Sequence, residues 1–363
     1  MHVMFNIVAP AISRNLARNT GLPAGLKELC RLPERKMVLV DNSKRFPGTS
    51  MVLFPGFVVP FEAEIERIDI NQINEVIVKL SPEAGEDQIF LSEKEILLSL
   101  PELEGIPRVI EAGKIQASYI VARKFEKVVD ERPFIIMPKL AGEDVDALTL
   151  APWQKGLPKR AGLAQLATTV FPGLAERLAS LHAHDLVHRD VKPNNAMFDQ
   201  ESGLVSVVDF GRANWLKAEP RTDVGTFGFY PPELELEKSE KEDIRTDVYG
   251  LGTTCFTVLT GRPGILYDNM DNVWNYDWTA FMFVSREKVM RQYYEAIKGY
   301  GSLGHGELAL RSNMPAELKE TALGKYLARL FHPVKEKRPA NMQRVVQQLR
   351  QLGGQLLEYE IWG

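Results

Sequence analysis

The chain has 363 residues, 45% hydrophobic and 25% charged, the composition of an ordinary globular protein. A formal net charge of −4 excludes a general nucleic-acid binder, which would carry a marked basic excess, and leaves room only for a local basic patch. The two cysteines, Cys30 and Cys255, suit neither a disulfide framework nor a metal-ligand spacing, so a reducing, cytoplasmic setting is expected. No apolar run is long enough to span a bilayer. This length predicts two domains, or two lobes around a cleft.

In chain order, MHVMFNIVAPAISRNLARNTGLPAGLK carries Arg14, Arg18 and Lys27 with no acid before Glu28. It is faintly like an organelle transit peptide, and with no basic segment before its apolar stretch it does not read as a secretory signal. Residues 1–35 are therefore expected to form an amphipathic extension packed on the main body. Short strands follow at MVLV (37–40), MVLF (51–54), EVIVKL (75–80), SYIVARKF (118–125) and PFIIM (133–137), all rich in β-branched and aromatic residues between polar or turn-forming breaks. One helix interrupts them, QIFLSEKEILLSL, with Phe90, Leu97 and Leu100 at near-helical spacing and Pro101 ending it.

After Ala141 the texture becomes helical. FPGLAERLASLHAHDL sets Leu174, Leu178 and Leu181 on one face, and DVYGLGTTCFTVLTG is apolar nearly all round, as a buried core helix would be, stopping at Gly261. Residues 264–310 are aromatic and mixed, with Trp274 and Trp278, and the stretch GRPGILYDNMDNVWNYDWTAFMFV reads as a satellite core of the larger lobe, with a partner or substrate dock as the alternative. ALGKYLARLF and MQRVVQQLRQL read as amphipathic helices.

The densest chemistry is LVHRDVKPNN, Leu186 to Asn195, followed by AMFD, the turn-like QESG, and LVSVVDFG. Two short strands around such a break predict a β-hairpin. Asn195 precedes the first strand and Asp209 follows the second, so the open end of the hairpin brings an amide oxygen and a carboxylate together. Oxygen ligands suit Mg²⁺ better than zinc. With Asp190 and Lys192 on the loop that feeds the hairpin, a base, a cation and two metal ligands converge, the ingredients of phosphoryl transfer.

HRDVKPNN and DFG resemble the catalytic-loop and metal-binding motifs of eukaryotic-type serine/threonine protein kinases, a set that serves as a general template for this chemistry. Further pieces occur in the same order. VIVK is similar to the lysine strand, SEKEILLSL to the C-helix, GTFGFYPPE to the end of the activation segment, DVYGLG to the start of the buried F-helix, and KRPA supplies a late arginine. The resemblance spans roughly residues 36–352. It implies an α+β, bilobal fold: an N-terminal extension (1–35), a small β-rich lobe with one C-helix (36–138), a larger, mainly α-helical lobe (139–352) and a tail (353–363).

Roles follow from the resemblance. Asp190 would accept the proton of the attacking hydroxyl, or orient it, and Lys192 would stabilise charge on the γ-phosphate. Lys79, paired with Glu93, would hold the α- and β-phosphates of ATP, and Asn195 and Asp209 would hold Mg²⁺. Met137 falls at the gatekeeper position. Pro138 keeps the carbonyl that adenine's amino group needs, Leu140 would supply an N–H, and Glu143 or Asp144 would reach the ribose. His188 would pack under Phe210, Asp247 would brace the catalytic loop, and Glu233 would pair with Arg338. Thr222, four residues before Thr226, stands where an activating phosphate would pair with Arg189 and order the loop. Thr226 would contact Asp190 and Lys192, as expected of the serine/threonine-specific branch.

One piece departs from the pattern. No G-x-G-x-x-G precedes Lys79, and the nearest stretches, RFPGTS and FPGFVVPFEAE, offer one glycine each, Gly48 or Gly56. Gly56 lies at the better distance, but ATP would be clamped differently or more weakly there, because glycine is what lets backbone amides approach phosphates closely. The competing reading is a pseudokinase that serves as a scaffold or nucleotide-binding switch. Against it, a chain released from catalysis has no chemical reason to keep Lys79, Glu93, Asp190, Lys192, Asn195 and Asp209 together. A small-molecule phosphotransferase would lack the PPE segment and its Glu233–Arg338 pairing. The expected partners are ATP and a protein carrying a serine or threonine acceptor, with no nucleic acid and no membrane span.

Overall fold

The computed structural model describes residues 5–7, 26–32, 36–41, 52–60, 73–81, 87–121, 126–149, 160–221, 225–226, 228–231, 233–234, 242–261, 320–332 and 334–358. The chain divides into two compact units, one of residues 1–102 and 107–140, the other of residues 103–106 and 141–363. Thr222 and the aromatic stretch 264–310 lie outside the described residues. The fold class is α+β, a strand-rich first unit and a mainly helical second one.

In the first unit seven strands are described: β1 (Phe5–Ile7), β2 (Lys27–Leu32), β3 (Lys36–Val40), β4 (Val52–Pro60), β5 (Asn74–Leu80), β6 (Glu111–Val121) and β7 (Glu126–Pro138). They form one sheet in the order β1-β6-β7-β5-β4-β3-β2, and every neighbouring pair is antiparallel. The β-branched and aromatic residues that predict the strands also build the core. Val38, Val40, Phe54, Val76, Val78, Phe134 and Ile136 cluster on one side, each worth about 1.5–3 kcal/mol when fully buried.

Two described stretches from the first 35 residues lie within this sheet. Phe5–Ile7 pairs with Ala117–Tyr119 of β6, and Lys27–Leu32 pairs with β3 across a bulge between Glu28 and Cys30. Helix α1 (Gln88–Ser99) begins where Asp87 accepts hydrogen bonds from the N–H groups of Ile89 (3.0 Å) and Phe90 (3.1 Å), a cap worth about 1 kcal/mol. Its buried side is Phe90, Glu93, Ile96 and Leu97. The carboxylate among those apolar residues already requires a partner.

The second unit is built on helices α2 (Arg160–Gln165), α3 (Phe171–His182), α4 (Arg245–Thr260), α5 (Ala322–Leu330) and α6 (Met342–Glu358). A π-turn over Leu166–Val170 joins α2 to α3. Leu174, Leu178 and Leu181 are fully buried, as their spacing predicts. Helix α4 is buried from Thr246 to Thr260, and Gly261 ends it in the left-handed region (φ 66°), where glycine is favoured. Short strands β8 (Glu143–Asp144), β10 (Ala196–Phe198) and β11 (Val205–Val207) form one small sheet, and β9 (Leu186–Val187) pairs with β12 (Asn214–Trp215). Among the described residues no helix is long and apolar enough to cross a membrane.

Candidate active site

In the first unit, Lys79 lies on β5 and Glu93 on α1, and their Nζ and Oε2 atoms are 2.5 Å apart with side chains 5% and 1% exposed. Neither charge would be kept at such depth without an opposite one. Met137 is buried on β7 across from Ile77, and Pro138 pairs with Val76. The next residue, Lys139, donates its N–H to the Glu75 carbonyl (3.1 Å), and Leu140 is half-buried.

Gly56 is placed differently from the sequence reading. It is held in mid-sheet between Val40 and Val76, and a Cβ there would stand 2.9 Å from the Leu39 carbonyl oxygen and 3.1 Å from Val76 Cγ2. The glycine answers to strand packing, and its N–H belongs to a sheet. Residues 42–51, which connect β3 to β4 and include Gly48, lie outside the described residues.

In the second unit the hairpin forms as its sequence predicts. Ala196, Met197 and Phe198 face Val207, Ser206 and Val205, and Val208 donates its N–H to the Asn195 carbonyl (2.9 Å). Asp209 therefore follows directly on the residue bonded to Asn195. Its backbone is left-handed (φ 66°, ψ 78°), a strain of about 1–2 kcal/mol for a residue with a Cβ. Glu143 and Asp144 are exposed and pair with Phe198 and Met197 on the outer edge of β10.

Asp190 gathers four donors. Its Oδ2 accepts from Lys192 Nζ (2.8 Å) and Asn195 Nδ2 (3.0 Å), and its Oδ1 accepts from the Thr226 N–H (2.8 Å) and Thr226 Oγ1 (2.7 Å). Lys192 Nζ donates also to Thr226 Oγ1 (2.7 Å). Burial alone would push the Asp190 carboxyl up. The Lys192 charge, with hydrogen bonds from Lys192 and Thr226, outweighs it and holds the group below its ordinary 3.8. Asn195 gives its amide N–H also to the Asp190 carbonyl (2.9 Å), which leaves the amide oxygen as the atom with metal-ligating chemistry.

The loop is braced from below. Asp247, at the start of α4 and fully buried, accepts from the N–H of His188 and of Arg189 at 2.8 Å each, and its Oδ2 lies 2.8 Å from His182 Nε2. Burial pushes this carboxyl up, but the hydrogen bond and charge from His182 bring it below the usual range. The His188 ring meets Phe210 edge-on at 5.0 Å, and its Nε2 lies 3.1 Å from the Val208 carbonyl oxygen. Arg338 NH2 pairs with Glu233 Oε2 at 2.6 Å and its NH1 donates to the Arg245 carbonyl (3.0 Å). Gly225 closes on the loop so tightly that a Cβ would stand 2.5 Å from the Arg189 carbonyl oxygen.

Arg189 is buried and left-handed (φ 66°), and its NH2 meets Glu242 Oε1 at 2.7 Å. Sequence reasoning missed Glu242 and His182. Glu242 sits in the acid-rich run ELELEKSEKED, which reads as a solvated surface, and nothing local marks His182.

Asp247→Asn would turn one of the two buried acceptor oxygens into a donor facing donors. The expected loss is about 2 kcal/mol of stability, measured by urea unfolding. Asp190 and Asp247 both carry lowered pKa values. Their contribution to stability is therefore complete above the ordinary carboxylate value of 3.8 and lost as pH falls through the lower folded-state values. Acid titration monitored by tryptophan fluorescence should accordingly show no loss from these two groups between pH ~7 and ~5.

A carboxylate shared by a lysine and a threonine, beside a hairpin that ends in Asn195 and Asp209, is the arrangement of one enzyme class. Residues 109–349, well over half the chain, match the family model described as "Protein kinase domain", and the chain belongs to that family. The matched span begins after Lys79 and Glu93. Among similar curated proteins, serine/threonine-protein kinase Pkn1 of Myxococcus xanthus is 35% identical over 139 residues, covering 36% of this chain and 18% of that protein. Serine/threonine-protein kinase F of Synechocystis is 35% identical over 114 residues, 30% of this chain and 22% of that protein. Serine/threonine-protein kinase TAO2 of Rattus norvegicus is 38% identical over 101 residues, 28% of this chain and 8% of that protein. The chain thus aligns with less than a quarter of the length of each of these relatives.

Proposed function

We propose that the chain is an ATP- and Mg²⁺-dependent protein kinase that transfers the γ-phosphate to serine or threonine hydroxyls. The observation that carries this reading is the Asp190 network. A carboxylate kept ionised by Lys192 and Thr226 can orient an incoming hydroxyl and accept its proton as the oxygen attacks phosphorus. Lys192, fixed on both Asp190 and Thr226, stands ready to neutralise charge on the transferring phosphoryl group.

Oxygen donors fit a hard divalent ion. The Asn195 amide oxygen and the Asp209 carboxylate would hold Mg²⁺, which supplies charge neutralisation on the phosphate oxygens when bound. Lys79, positioned by Glu93, would pair with the α- and β-phosphates. Met137, Pro138 and Leu140 would border the adenine, and Glu143 or Asp144 the ribose. The phosphate lid is atypical, because no G-x-G-x-x-G precedes Lys79. In this reading residues 36–138 make the ATP-binding lobe and residues 139–352 the catalytic lobe. Both cysteines are unpaired, which agrees with a cytoplasmic setting.

The test is transfer of labelled γ-phosphate from ATP to a generic protein substrate, with the labelled residues identified after hydrolysis. Label on serine and threonine that needs Mg²⁺ and is lost in Asp190→Ala supports the reading. Nucleotide binding with no transfer from any preparation would turn the assignment to a pseudokinase.

A further inference from the structure

Arg189 is the most constrained cation of the second unit's catalytic loop. Its backbone is left-handed (φ 66°), and such a residue persists only where its surroundings over-determine it. The constraint comes from several sides. The N–H is fixed on Asp247, NH1 donates to the Arg212 carbonyl (2.9 Å), and NH2 donates to the Arg221 carbonyl (3.2 Å). The compensating charge comes from Glu242, with side chains 1% and 6% exposed for Arg189 and Glu242. One guanidinium thereby ties together the catalytic loop, the segment that leaves Asp209, and the chain that enters α4.

We propose that Glu242 is the standing anion for Arg189, a positioning residue that keeps the Asp190 network assembled without phosphate on the segment after Asp209. This rests on the kinase reading above and names the regulation of that site. A buried guanidinium needs a full negative charge, since carbonyl dipoles alone do not repay its desolvation. Glu242 is the carboxylate that meets it from within the fold; burial raises this carboxyl, and the Arg189 charge and hydrogen bond pull it back toward the ionised form. A phosphate carried in on Thr222 would bring about 1.5–2 further negative charges beside the carboxylate already there, so it would have to displace Glu242 before it could replace it. The link to Asp190 is direct: Arg189 precedes it, and Gly225 rests on the Arg189 carbonyl while Thr226 donates to Asp190. Letting Arg189 move therefore loosens the donors on Asp190, which lowers turnover more than affinity for ATP.

The experiment uses full-length protein treated with a broad-specificity phosphatase and checked by intact mass, in wild-type, Glu242→Gln and Glu242→Asp forms. Each is read by kcat, KM for ATP, and amide hydrogen exchange over residues 186–221. Dephosphorylated wild type should keep its activity. Glu242→Gln should lose about 10- to 100-fold in kcat with KM for ATP changed less than about threefold, and Glu242→Asp should recover part of that loss. Exchange over 209–221 should quicken in Glu242→Gln.

An inert dephosphorylated wild type that regains activity when Thr222 is labelled would overturn the proposal. So would a Glu242→Gln form with wild-type kcat and protection. If no form of the wild type transfers phosphate, the kinase reading fails instead, and hydrogen exchange alone decides the positioning role. If Glu242→Gln does not fold, Glu242→Asp and dephosphorylated wild type carry the same decision.

Discussion

Asp190→Asn is expected to lower kcat for phosphoryl transfer by about 10³-fold while the chain remains folded. The substitution keeps volume and removes charge. Both faces of this carboxylate are lined by donors, Lys192 and Asn195 on Oδ2 and Thr226 on Oδ1, so the new amide NH₂ must face donors whichever way it turns. The stability cost is about 1–2 kcal/mol, far less than the loss in rate. On the proposed reading, in which Asp209 would hold Mg²⁺, Asp209→Asn should match it in kcat at ordinary Mg²⁺ and recover partly as Mg²⁺ is raised. Steady-state kinetics over a Mg²⁺ series separates the two: a Mg²⁺-responsive Asp190→Asn would mean that Asp190 serves as a ligand and not as the base.

The local chemistry of this site is legible because it is written contiguously. His188 to Asn195 and Asp209 to Gly211 lie on one loop and one hairpin, and the hairpin is itself readable from two β-branched runs and a turn. What is illegible is the bracing that crosses the chain. Arg189 and Glu242 are 53 positions apart, and His182 and Asp247 are 65 apart. A surface-looking acid run gives no sign that one glutamate in it folds inward. The Glu233–Arg338 pair, 105 positions apart, could be anticipated only from the resemblance.

The strands show the same division. Runs of β-branched and other apolar residues mark β5 and β7, and one face of each carries Val76, Val78, Phe134 and Ile136 into the core. KELCRL has charge at three of six positions, so β2 gives no such signal, although it pairs along β3. Pro55–Gly56 reads locally as a turn. Antiparallel neighbours on both sides override that preference, and the Pro55 carbonyl accepts from the Asp41 N–H (2.9 Å). Propensity is a local prior, and a strand flanked by two others answers to its partners.

Lys79→Met is expected to cost about 3–5 kcal/mol of stability, since it takes away the cation 2.5 Å from a carboxylate only 1% exposed. The informative variant is the pair Lys79→Met with Glu93→Leu. Replacing a buried ion pair by apolar side chains of similar volume is often close to neutral, so urea unfolding of the double variant should return to within about 1–2 kcal/mol of wild type. Phosphoryl transfer should not return with it. On the proposed reading Lys79 also meets the phosphates of ATP, and a methionine gives nothing to that charge however well it packs. Recovery of the fold without recovery of kcat/KM for ATP therefore assigns Lys79 to the nucleotide. Recovery of both would make the pair a device of stability alone, and ATP would then need another cation, for which Lys192 would be the first to replace.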